Sequence, residues 1–387
     1  MLKKYIVYLP ASIGSLEEEW EQCRYQIVKD LSSGIRPVKL NIFVSAPDYP
    51  SYVEIKSNIS QSVIDAFGEI CPAFNVSIHP PEKPRKVTVE AMFVTGSPAG
   101  ITTKFYNSFP YVVIESDSFK EVWGAGLGND EYWYDTRKAA SASLDMVAEI
   151  LQRENLTMNN LVRQWNFIGD ILGMKEGFQN YQVFNEVRSE YYRKYRTIAG
   201  FPAATGVGMK YGGVLLDFCA LKADDAIKLK AIDNPNQINA YEYGQQVLKG
   251  ITGNDTSAKH PTQFERGLLL INKTSSTLFV SGTASIIGQE TIGKGDVNEQ
   301  TMVTIENIRK VADIERVKQL AGRQDMGQGK FSLLRVYIKK QEDFNSVKSI
   351  LNDHFKDSPV IFIEADICRD DLLTEIEAEV MVYRPCA

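Results

Sequence analysis

Short runs of alternating apolar and polar residues give way along this chain to helical spacing, and the same succession occurs three times. The first copy reads VKLNIFV (Val38 to Val44), a segment carrying Ile55, Ile59, Val63 and Phe67, then FNVSIH and VTVEAMFV. The second reads VRQWNFIGD (Val162 to Asp170), YQVFNEVRSEYY, FPAATGVG and GGVLLDFCAL. The third reads SLLRVYIKK (Ser332 to Lys340), a segment with Phe344, Val347 and Leu351, then PVIFIEADIC and LLTEIEAEVMVY. A period near two marks strands and a period near 3.6 marks an amphipathic helix, so each copy predicts strand, helix, strand, strand.

The second and third copies share an upstream half as well. VWGAGLGNDEYWYDTRKAASASLDMVAEIL corresponds to FVSGTASIIGQETIGKGDVNEQTMVTIENIRKV, a Gly-containing strand region feeding a long helix. Ala140, Leu144, Val147, Ala148 and Leu151 predict a helix near 136–153, and Asp296 with Glu299 three residues on signals a capping box for its counterpart. The spacing of the two halves, roughly 160 residues, is too long for a solenoid. Domain-sized units fit it better. The expected fold is α+β, each unit one sheet with helices on one face, over residues 1–105, 106–225 and 226–387.

Composition supports a packed protein: 44% of residues are hydrophobic and 24% charged, enough to bury a large core. A formal net charge of -6 argues against a nucleic-acid partner, which needs clustered Lys and Arg. No apolar run reaches the length of a membrane span, and the apolar stretch in MLKKYIVYLPASIG is too short for a signal peptide. A cytoplasmic protein that does not engage a membrane is expected. Cys23, Cys71, Cys219, Cys368 and Cys386 form no CxxC pair and read as reduced thiols. His79, His260 and His354 lie too far apart for ligand spacing, so no metal site is expected, and a Ser-His-Asp or Cys-His nucleophile system is poorly supplied.

Two segments break the regularity. Residues from about Asp224 to Phe264 are rich in Asn, Gly, Gln and Thr, and a loop of that length inside compact units is often functional. SIHPPEKPRK, with three prolines and basic charge, reads as a solvated turn between strands.

RQWNF, YQVFNEVRSEYY, FPAATGVG, QINAYEY, SGTASIIGQE, GDVNEQTMVTIENI and ADICRDDLLTEIEAEV occur in one order from about residue 110 to the C-terminus. Together they resemble the chorismatase family, whose units belong to the Rid/YjgF superfamily. Rid proteins are trimers with ligand sites between neighbouring subunits. The resemblance therefore implies three Rid-like units fused as a pseudo-trimer, the first truncated, acting as a monomer with its site at the junction of the second and third units. The implied reaction is cleavage of the enolpyruvyl ether of chorismate, with no cofactor and a small-molecule substrate as the partner.

An enol ether is hydrolysed by protonating its methylene carbon, so the step needs an acid that keeps its proton near neutral pH. Burial raises a carboxyl pKa and supplies one. The family's acid falls at Glu290 in SGTASIIGQE; Glu375 and Glu377, on one face of the strand LLTEIEAEV, are rivals ranked below it. The substrate is a dianion, which favours arginine forks. Candidates are Arg163, Arg188, Arg266 and Arg369, with family position favouring Arg188 and Arg266. Asn166 is a hydrogen-bonding candidate, Tyr181 and Tyr241 offer ring faces and phenols, and Thr205 and Gly206 leave room for a ligand.

Members that form 3-hydroxybenzoate look to use an active-site cysteine. If that position corresponds to Ala284, this chain lacks the thiol and hydrolysis to pyruvate and a trans-dihydroxycyclohexadiene carboxylate is favoured. The chain departs from the family at Gln289, where a His is usual, and at Thr256 to Pro261, where Tyr-Gly-Pro-Arg is expected. Three alternatives stay open: a lyase forming 3- or 4-hydroxybenzoate, a Rid-like imine or enamine deaminase, and a non-catalytic metabolite-binding protein.

Overall fold

The computed structural model describes residues 2–31, 34–96, 100–224, 227–250, 258–272 and 275–383. Thr256, Ser257 and Cys386 lie outside them. Three sheets carry the chain. The first has the strand order Leu2–Tyr8, Val87–Thr95, Ile35–Val44, Ala73–Ser77, with helices α1 (Leu16–Lys29) and α2 (Tyr49–Phe67). The second runs Asp366–Ile367, Ala203–Met209, Leu161–Gly169, Val214–Ala223, Phe119–Leu127, Phe109–Glu115, Ile101–Tyr106, with α3 (Thr136–Arg153) and α4 (Asn180–Tyr195). The third runs Lys228–Ile232, Gly267–Ile271, Ser275–Ala284, Thr374–Tyr383, Gly329–Ile338, Val360–Glu364, with α5 (Val297–Val311), α6 (Ile314–Ala321) and α7 (Phe344–His354). The fold is mixed α+β.

The predicted repeat appears as one topology. In each sheet a central strand pairs in parallel with the strand that follows its crossover helix (α2, α4 or α7) and antiparallel with a return strand. The first sheet also has an upstream strand and helix, Leu2–Tyr8 and α1, which the sequence pattern did not reveal. Its four strands compare with seven and six in the other sheets. The expected boundary at residue 105 falls within Ile101–Tyr106, an edge strand of the second sheet. Asp296 caps α5 by accepting from the Asn298 and Glu299 amides at 2.9 and 3.1 Å.

Alternation along the central strands divides their side chains between two kinds of core. Leu40, Ile42 and Val44 pack under α1 and α2, Ile168 under α3 and α4, and Leu334, Val336 and Ile338 under the helices of the third sheet. The opposite faces meet one another, joining Phe43, Met92, Trp123, Trp165, Phe167, Phe279 and Tyr337 in a core common to all three sheets. His79 lies within it, its ring 6.0, 5.3 and 6.4 Å from those of Phe43, Phe167 and Tyr337. Burial pushes this histidine down to about 3, so it is neutral. The segment turns in solvent at Lys83 and Pro84, as expected, but its start is buried, and the Glu364 amide donates to the Pro80 carbonyl at 2.7 Å, tying the first sheet to the third.

One tier along, each return strand places a carboxylate opposite the central strand: Glu90 faces Asn41, Asp217 faces Trp165 and Glu377 faces Arg335. Each receives a cation from the neighbouring sheet. Lys39 pairs with Asp217 at 2.8 Å, Arg163 with Glu377 at 2.7 Å and Arg335 with Glu90 at 2.6 Å. All six groups are buried, and the three pairs close a ring around the common core.

Candidate active site

Where the second and third sheets meet, a cavity holds about 780 Å³ of space, open solvent at its mouth included. Helix α4 supplies Tyr181, Gln182, Asn185 and Arg188 to one wall, and the adjoining strand supplies Thr205 and Gly206. The facing wall comes from Gly282, Ala284 and Glu375 of the third sheet, and Cys368 and Arg369 follow the Asp366–Ile367 strand. The Asn- and Gly-rich segment closes one side with Tyr243, Leu248, Lys249, Thr262 and Phe264, and Arg266 follows it.

Three guanidinium groups converge here. Arg188 donates to Asn185 at 2.8 Å, Arg266 to the Tyr243 hydroxyl at 2.7 Å, and Arg369 to the Gln289 carbonyl at 2.7 Å. None of the three is ion-paired with a carboxylate among the described residues, and each keeps a buried N–H without a partner: Nε of Arg188, Nε of Arg266 and Nη2 of Arg369. Unpaired buried cations are costly unless an anion completes them, so the cavity is built to receive negative charge.

Among the described residues Glu375 is the one carboxyl lining this cavity, and it is 5% exposed. Burial, reinforced by the neighbouring Glu377 charge and opposed by Arg163 and Arg266, raises it to about 8. It accepts no hydrogen bond from a described residue, and a Cβ at Gly282 would run into its Oε1. Glycine at 282 therefore leaves the space that the acid occupies. At the same register the other return strands carry Thr88 and Leu215, opposite Phe43 and Phe167, as Glu375 stands opposite Tyr337.

The sequence expectations divide. Tyr181, Arg188, Thr205, Gly206, Arg266, Ala284 and Arg369 come together on the cavity walls. A Cβ at Gly206 would stand 3.2 Å from the Tyr181 ring, an approach that crowds any larger residue. Glu290 does not join them: it is exposed on a two-residue strand of the Ile286–Thr291 hairpin. A buried carboxyl lies instead at Glu375. Arg163 points into the common core and is ion-paired with Glu377. Asn166 lies on the helix side of its strand, donating to the Thr205 carbonyl at 2.8 Å. Tyr241 packs on Phe201 at 5.4 Å, and Tyr243 takes the cavity position instead. Gln289 stands behind the wall, accepting from the Gly244 amide at 3.2 Å while its carbonyl holds Arg369.

Sequence reasoning passed over Cys368, whose thiol faces the cavity, so a thiol is present although Ala284 is not one. Burial, with Glu375 next in weight, pushes it up to about 12, which keeps it protonated. The missed signal was its place seven residues before Glu375 in one block, ADICRDDLLTE. Among the described residues no group of three or more His, Cys, Asp or Glu side chains is arranged to hold a metal ion, and no helix is long and apolar enough to cross a membrane.

The chain is similar to several known proteins. The family model described as "Chorismatase FkbO/Hyg5-like, N-terminal" matches residues 122–220. A 3-hydroxybenzoate synthase of Streptomyces hygroscopicus is 32% identical over 253 residues, covering 63% of this chain and 69% of that protein. A chorismatase of Streptomyces rapamycinicus is 32% identical over 57% of this chain and 64% of its own length. A chorismatase crystal structure superposes with a TM-score of 0.67 at 20% identity, covering 98% of both chains, and so shares the fold.

Proposed function

The chain belongs to the chorismatase family, and from that premise we propose that it hydrolyses the enolpyruvyl ether of chorismate, releasing pyruvate. The observation that carries the assignment is a carboxyl raised to about 8 on the wall of a cavity with three unpaired arginines. Glu375 is protonated at neutral pH and gives its proton to the methylene carbon of the ether. The resulting oxocarbenium ion is attacked by water, and the hemiketal collapses to pyruvate and the ring alcohol, which keeps its oxygen. One water is consumed, and solvent returns the proton to Glu375. Arg188, Arg266 and Arg369 bind the two carboxylates and hold the ether against the acid, while Tyr181, Thr205 and Gly206 shape the ring's place. The route consumes only water and calls on no cofactor.

On this assignment the three sheets are Rid/YjgF-like units joined in one chain as an internal pseudo-trimer. The first lacks the outer strand pair, and the protein works as a monomer in the cytoplasm. The test is incubation with chorismate, pyruvate being counted enzymatically and the ring product weighed. Glu375→Gln is expected to lose pyruvate release by roughly 10²–10⁴-fold, the usual worth of a general acid. Glu290→Gln is expected to stay near wild type. The reverse pattern would return the acid to Glu290.

Cys368 favours a second outcome in the same site, formation of 3-hydroxybenzoate. Chorismate then gives pyruvate and the aromatic acid with no net water consumed. Cys368→Ala decides between them. If the thiol steers the ring, the variant still releases pyruvate but its ring product gains the mass of water relative to wild type. A ring product that already carries the added water in wild type, and does so equally in the variant, leaves hydrolysis alone.

A further inference from the structure

Glu375 and Glu377 lie two residues apart on one face of the Thr374–Tyr383 strand, about 7 Å along it, in opposite surroundings. Glu375 faces the cavity without a hydrogen-bond donor. Glu377 is saturated: Trp165 Nε1 donates at 2.8 Å, Arg163 Nη2 at 2.7 Å, and Thr205 and Arg335 also donate to it. Arg335 is itself fixed by two hydrogen bonds to Glu90, at 2.8 and 2.6 Å. Thr205 belongs to both places, since it lines the cavity and its hydroxyl oxygen accepts from the Gly282 amide at 3.0 Å.

We infer that Glu377, clamped as a carboxylate by Arg163 and Arg335, is a positioning residue: a permanent negative charge behind Glu375 that keeps the proton on the acid. The inference rests on Glu375 being the acid. Carboxyls placed in such contrasting environments divide the roles of proton carrier and fixed charge. The charged and titratable groups facing Glu375 are Glu377 on its own strand, Arg163 on the Leu161–Gly169 strand, Arg266 before Gly267–Ile271, Cys368 before the strand and Tyr181 on α4. Glu377 is the one standing anion among them at neutral pH. Arg163 works against it, so the two make opposite predictions.

The experiment is the pH dependence of kcat for pyruvate release at saturating chorismate, in wild type, Glu377→Gln, Glu377→Asp and Arg163→Gln, with unfolding curves to confirm each fold. Wild type is expected to lose activity as pH rises through about 8, where Glu375 ionises. Removing the Glu377 charge is expected to move that limb down by about one pH unit or more, and removing Arg163 to move it up by a similar amount. Glu377→Asp keeps the charge and is expected to restore the wild-type limb. A merely structural role lowers kcat at every pH without moving the limb. A limb at its wild-type position in either folded variant overturns the inference. Full activity in Glu375→Gln, read in the same assay, would instead remove the acid assignment beneath it.

Discussion

Carrying a proton at neutral pH costs this protein stability. The folded pKa of Glu375, about 8, stands above its value of 4.5 in an unfolded chain. The acid therefore contributes most below the unfolded value, and that contribution is lost as pH rises toward the folded one. Glu375→Gln has no proton to lose. Urea unfolding is expected to show the variant gaining on wild type by roughly 3 kcal/mol between pH 5 and pH 8, and a constant difference would mean that Glu375 is ionised throughout. At Gly282, any side chain takes the acid's space, so Gly282→Ala is expected to retain the fold and lose on the order of 10²-fold in pyruvate release. Arg188, Arg266 and Arg369 could be named because the family resemblance implies a dianionic ligand, whereas Arg163, named on the same ground, lies in the common core. Glu375 was ranked below Glu290 because the family resemblance placed the acid in SGTASIIGQE, and alternation along LLTEIEAEV does not tell a buried face from a solvated one. The strand is paired on both sides and covered on both faces, and only the packing of the other sheets reveals that.

At the scale of elements, local signals were strongest where they repeat over several turns. The helix expected near 136–153 is Thr136–Arg153, started by the Asp135 side chain accepting from the Lys138 amide. The three parallel pairs and their crossover helices also follow from alternation followed by helical spacing. Leu2–Tyr8 escaped because its inward residues Lys3 and Tyr5 are polar or mixed, and their partners are distant: Lys3 meets Glu121 at 2.6 Å and Tyr5 meets Glu379 at 2.5 Å. The prolines after His79 likewise gave no hint of docking on the third sheet. Caps carry a testable share of stability. Asp296→Ala is expected to cost about 1 kcal/mol, seen as a lower Tm, with kcat unchanged because α5 lends no side chain to the cavity.

The whole molecule is held at its centre by three buried ion pairs, each spanning two sheets. Desolvation makes such pairs poor sources of net stability, yet removing one partner strands the other. Arg335→Met is expected to cost about 3–5 kcal/mol, because Glu90 loses its cation and Glu377 one of its two, and a change below 1 kcal/mol would show that water compensates there. In a ring of identical subunits, a carboxyl introduced at one junction is introduced at all of them. A single polypeptide is free of that constraint, and the register that holds Glu375 holds Thr88 and Leu215 elsewhere. On the proposed assignment, the other two junctions carry no acid at that register and are expected to be inactive. The expected stoichiometry is one substrate bound per chain, and velocity should follow a simple hyperbola in chorismate concentration with no cooperativity.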